Sequence, residues 1–172
     1  MRTQRSRTAL ILLVGTLACG ERRSAKSDTI AVGRDSADSA FAQVQARGQR
    51  AMGVDQYTSQ HRFEALPDGG RITLRRDSAD TAGGARIRAH MQEIASAFQQ
   101  GNFDVPGFVH GREVPGTAVM RARRTHITYT PDSASGGGQL RIRSRDSVAI
   151  AAIHEFLAFQ ARDHRAGDHD HP

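Results

Sequence analysis

The 172-residue sequence predicts an α+β fold: two ββα units whose four strands form one antiparallel sheet, with both helices packed on one face. Three observations predict it. Apolar residues alternate on either side of a glycine-rich turn, once near residues 57–76 and again near 126–144. Each stretch runs into the same tripeptide, Arg76-Asp77-Ser78 and Arg145-Asp146-Ser147. Each tripeptide opens a segment whose apolar residues recur at helical spacing.

Taken in chain order, Arg2, Arg5 and Arg7 precede the short apolar run Ala9-Leu10-Ile11-Leu12-Leu13-Val14, and Gly15-Thr16-Leu17-Ala18-Cys19 follows it. A charged start, a brief apolar stretch and a small residue before the cut make residues 1–18 a signal peptide. The run falls far short of the roughly 20 residues a spanning helix needs. Cys19 is the only cysteine, so no internal disulfide can form. From residue 21 to about 50 the chain is polar and rich in Ser, Ala, Asp and Arg, which reads as a flexible stalk with at most a short amphipathic helix near Phe41.

The domain proper is expected over 51–167. Residues 57–65 alternate, Leu66-Pro67-Asp68-Gly69-Gly70 has turn chemistry, and 71–76 alternate again, with Ile72 and Leu74 on one face. Asp77 and Ser78 suit a helix cap, and Ile87, Met91, Ile94 and Phe98 mark the inner stripe of a helix that Gly101 closes. Residues 102–124 form a long connection with a short helix near 117–124. In the second unit, 126–130 alternate about Ile127 and Tyr129, a turn runs from Pro131-Asp132 to Gly138, and 139–144 alternate about Leu140 and Ile142. Ile150, Ile153, Leu157 and Ala161 line a helix to about residue 165. The tail Asp168-His169-Asp170-His171-Pro172 is charged and expected to be disordered.

The formal charge is +6, but Arg2, Arg5 and Arg7 leave with the leader and no acid goes with them, so +3 remains. No basic run is interleaved with aromatics, and nucleic-acid binding is not expected. Aromatic residues are 5% of the chain and Trp is absent, so the core must rest on Ile, Leu, Val, Ala and a few Phe.

Eight histidines direct attention to metals, because neutral imidazole is a common ligand for Zn and Cu. His61 shares strand parity with Phe63 and should face the helices. His90 lies between Ile87 and Ile94, and His154 between Ile150 and Leu157, each on an inner helical stripe. His110, in the long connection, is the next candidate. The expected metal set is therefore His61, His90, His110 and His154. The alternative for each is a structural histidine bonded to backbone. His164 falls ten residues after His154, roughly 80° round the helix, and is a poor co-ligand for it. His126, opposite in parity to Ile127, should be exposed. No nucleophile elbow, phosphate-binding loop or His-Glu-x-x-His occurs, so no catalytic residue is assigned.

Leu17-Ala18-Cys19-Gly20 resembles the lipobox of bacterial lipoproteins, with Thr16 where that pattern usually has Leu; the resemblance implies a lipid on Cys19 and a membrane anchor facing the periplasm or cell exterior. At Met52-Gly53-Val54-Asp55-Gln56, Pro115-Gly116-Thr117-Ala118-Val119-Met120 and 152–160 (Ala-Ile-His-Glu-Phe-Leu-Ala-Phe-Gln) the chain resembles a family of small bacterial proteins. Some of these carry the label aspartate carbamoyltransferase. The resemblance implies histidines with a shared role at His61, His90, His110, His154 and His164. The Ser-Thr-Arg-Thr signature that holds carbamoyl phosphate in true carbamoyltransferases is absent here, and carbamoyl transfer is not expected. The expectation is a membrane-tethered metal-binding domain. Its rival is an interaction domain whose sheet face, with Arg75, Arg141 and Arg143, meets an acidic partner.

Overall fold

Alternating side chains and turn glycines build the two expected hairpins. The computed structural model describes residues 25–166, with side chains from residue 36 on; the leader, Cys19 and the His/Asp tail lie outside the described residues. Strands β1 (Gln60–Leu66) and β2 (Gly69–Arg75) pair antiparallel, as do β3 (Ile127–Ala134) and β4 (Gly137–Ser144). They join into one sheet of order β1-β2-β4-β3. The central pairing is self-complementary: Gly69 faces Arg143, Ile72 faces Leu140 and Arg75 faces Gly137, so exchanging the halves reproduces the register. A doubled sequence demands such a register if its units meet about a twofold axis.

Helices α2 (Thr81–Gln99) and α5 (Ser147–Asp163) bury their apolar stripes on one sheet face. Each lies mainly on the other unit's hairpin, α2 on β3 and β4, α5 on β1 and β2. The ends of the inner strands explain this exchange. The Arg76 amide donates to Gly136 O at 2.9 Å, so β2 ends beside the second hairpin's turn and α2 starts there. Equivalently, the Ser144 amide donates to Asp68 O at 2.9 Å, which starts α5 over the first hairpin. Ile87, Met91, Phe98, Leu140, Ile142, Ile153, Phe156 and Leu157 fill the space between, all at most 2% exposed.

Several sequence expectations need correction. Residues expected to be a flexible stalk form helix α1 (Ala25–Met52). Val44, Gln45 and Gly48 are buried in its last three turns, and Arg47 Nε donates to Val109 O at 2.7 Å, fixing α1 to α3 (Asp104–His110). The domain therefore begins before residue 51. The second hairpin's turn is shorter than its composition suggests, because β3 runs on through Pro131 to Ala134. β3 is an edge strand, where a proline's missing N–H is tolerated. The cap of α2 is Asp80, which accepts from Gly83 N at 2.8 Å; Asp77 instead accepts from Ala79 N in a local turn. The short helix of the connection, α4, spans Thr117–Ala122. Among the described residues, no helix is long and apolar enough to cross a membrane.

Candidate functional site

One cavity of about 80 Å³ opens between the sheet, α2, α3 and α5, and four histidines line it: His61, His90, His110 and His164. Each reaches it for a local reason. His61 alternates with Phe63 on the helix-facing side of edge strand β1, and both residues line the cavity. His90 sits on the buried stripe of α2 with Ile87, Met91 and Ile94. His110 ends α3, where Gly111 in the left-handed conformation (φ 66°) lets the chain turn away. His164 caps the C-terminus of α5, four and eight residues beyond Gln160 and Phe156, and all three line the cavity.

Two of these rings flank a third, His61 and His110 each packing against His164. The His61 and His164 centroids lie 4.7 Å apart with planes 20° from parallel, and His110 and His164 lie 5.1 Å apart at 87°. Imidazoles sharing one ion at about 2.0–2.1 Å per bond have centroids roughly 5 Å apart, so the spacing is that of co-ligands. The orientation is not yet so. Parallel rings cannot both aim a nitrogen at one point, and among the described residues no group of three or more His, Cys, Asp or Glu side chains is placed to hold a metal ion as the rings stand.

The surroundings of each ring differ. His110 Nδ1 contacts the Asp163 carboxylate, while its Nε2 lies 2.9 Å from Gln160 Oε1. A carboxylate that accepts from Nδ1–H fixes the ring and its tautomer, the arrangement that orients histidine ligands in metal sites. His164 Nδ1 is buried with no hydrogen-bond partner among the described residues. Burial, reinforced by the neighbouring His61 and His110, holds the His164 imidazole well below its usual pKa. His90 is also pushed down by burial, partly offset by Glu93, whose Oε2 lies 4.0 Å from His90 Nδ1. Phe63, Phe98, Phe156, Met52 and Met91 supply much of the remaining wall.

His154 stands apart. Its Nε2 donates to Leu66 O at 2.9 Å, tying α5 to the end of β1, and it does not line the cavity. Of the histidines expected to share a metal, His61, His90 and His110 line the cavity and His154 does not, while His164, expected to be a poor co-ligand, does. His126 is exposed, as its parity predicts. On the open sheet face Arg75 and Arg143 are exposed, whereas Arg141 turns back to Gly70 O at 2.8 Å and to the Asp68 carboxylate.

No protein-family model, curated protein or solved structure matches the chain. Its chemistry has to be read from its own side chains.

Proposed function

We propose that this protein is an exported domain, tethered by a lipid on Cys19, that binds Zn or Cu through His61, His110 and His164, with His90 beside them, and handles or senses the metal without catalysis. The observation that carries the reading is that imidazoles from β1 and α3 both pack against the His164 ring at the end of α5, where all three line one largely apolar cavity. A buried imidazole nitrogen without a partner costs about 1–3 kcal/mol, and a metal bond removes that cost. Asp163 supplies the supporting carboxylate for His110. For an ion to bind, the His61 and His164 rings rotate out of their stack and the Gln160 amide leaves His110 Nε2.

The test is calorimetric titration with Zn(II) of the full chain carrying Cys19→Ser, His169→Ala and His171→Ala, which removes the competing thiol and tail imidazoles. One equivalent is expected to bind, to be lost in His110→Ala and His164→Ala, and to survive in His154→Ala. If neither Zn(II) nor copper binds the background chain, the reading fails. The rival, an interaction domain for an acidic partner, then gains from the helix-free sheet face carrying Arg62, Arg71, Arg75 and Arg143, although Glu64 and Asp68 pair with three of these.

A further inference from the structure

The cavity wall says more about which ion it suits. Met52, from the end of α1, and Met91, from α2, line the same space as His61, His110 and His164. Met91 is 2% exposed and packs beside Gly138, so its thioether is held within the fold. Among the described residues lining the cavity there is no carboxylate: Asp163 touches the back of His110 without lining the space, and Glu93 stays outside.

Three physical points converge. Thioethers are soft donors that favour Cu(I), whereas Zn(II) sites draw on Cys, His and carboxylate. A dication entering an apolar cavity without an anionic ligand costs about four times the Born energy of a monocation of equal size. The wall is built largely from Phe, Ile, Leu, Val and Met side chains, which give an ion's water shell few hydrogen-bond partners, so an ion that sheds its water enters more easily. Cu(I) sheds its solvent readily and accepts low coordination numbers; a hydrated dication does neither.

We propose that the physiological occupant of the histidine cavity is a cuprous ion, ligated by His61, His110 and His164, with the thioethers of Met52 and Met91 as its soft contacts. The inference rests on the metal-binding reading above and adds the choice of ion. Binding involves no change of oxidation state, since the ion arrives as Cu(I) and displaces no proton from a neutral imidazole or a thioether.

The experiment is an anaerobic competition against a colorimetric cuprous chelator. It uses the full chain with Cys19→Ser, His169→Ala and His171→Ala, because the thiol and the tail would also hold copper. Cu(I) is supplied as its acetonitrile complex, and Zn(II) is titrated in parallel. The expected result is one tightly held Cu(I), lost in His164→Ala and weakened at least tenfold by the pair Met52→Leu and Met91→Leu, with Zn(II) affinity unchanged by that pair. Methionine to leucine conserves volume, and a matching melting curve verifies that the pair folds. Zn(II) binding without Cu(I) binding overturns the cuprous assignment and leaves the metal reading standing. Cu(I) binding indifferent to both methionines overturns the thioether contacts. Binding of neither ion overturns both proposals.

Discussion

His164 shows how much one side chain's surroundings decide. Its folded pKa is depressed by burial and by His61 and His110, and that of His90 by burial against a partial offset from Glu93, so both rings resist protons that the unfolded chain accepts near pH 6.5. With a folded value below the unfolded one, their contribution to stability is complete above about pH 6.5 and shrinks as pH falls below it. Metal-free protein should therefore melt at progressively lower temperature from about pH 7 to pH 5, and His164→Gln should flatten that slope; a melting temperature indifferent to pH over this range would contradict the burial. Asp80 acts in a lower window. The Gly83 amide and the Arg76 guanidinium hold its carboxyl below the usual carboxylate range, so its capping contribution is lost only as pH falls below about 4. Tyr129 provides a contrasting case. Its hydroxyl is buried with no hydrogen-bond partner among the described residues, and burial pushes its pKa upward. Tyr129→Phe should consequently raise stability by about 1 kcal/mol in a denaturant titration, a sign opposite to that of most core substitutions.

At the scale of elements, one glycine of each pair that opens β2 and β4, Gly70 and Gly138, lets a helix lie close on the sheet, while Gly69 and Gly137 lie against the backbone of the neighbouring strand. A Cβ on Gly70 would overlap Leu157 Cδ1 of α5 and come within 2.8 Å of Glu64 O, whereas on Gly138 it would meet the flexible Met91 Cγ at 3.2 Å. Gly70→Ala should therefore cost about 1–3 kcal/mol and Gly138→Ala clearly less, read from the two denaturation midpoints. The same pairs made the hairpins legible in the sequence, and Ile87, Met91, Ile94 and Phe98 did so for α2, because period and turn chemistry are local signals. Helix α1 was hidden for the opposite reason. Its Ser, Ala, Asp and Arg residues carry no continuous apolar stripe, and what anchors it is tertiary: Arg47 on Val109 O, and Arg165 on Ala37 O at 3.3 Å and on the Phe41 ring at 4.3 Å. The cavity lining was legible where local period alone decides direction, as for His61 on its strand and His90 on its helix. It failed at His164 because that residue's angle was measured from His154, which bonds to backbone; the stripe Phe156, Gln160, His164 carries the signal that locates it.

For the whole molecule, the exchange of helices between units sets the cooperativity. If α2 covered its own hairpin, each ββα unit would be a small domain with a private core and the halves could melt separately. Instead α2 buries Ile87 and Met91 mainly against β3 and β4, and α5 buries Ile153 and Leu157 mainly against β1 and β2. Phe98 of the first unit stacks on Phe103 at 4.5 Å and meets Phe156 of the second edge-on at 6.0 Å, so the aromatic cluster is shared as well. Cutting the connection would leave one half with an uncovered hairpin and a helix with an uncovered stripe, and the other half in the same condition. Neither should fold alone, since a two-stranded hairpin is at best marginal in water and a single helix gains its stability from packing. Calorimetry of the intact chain should thus show one transition whose van't Hoff and calorimetric enthalpies agree. The fragments 25–101 and 102–166 should each give the circular dichroism of an unfolded chain, and an equimolar mixture should recover the helical signal. Cooperative folding of either fragment by itself would mean that the units are autonomous and that the exchanged packing is dispensable.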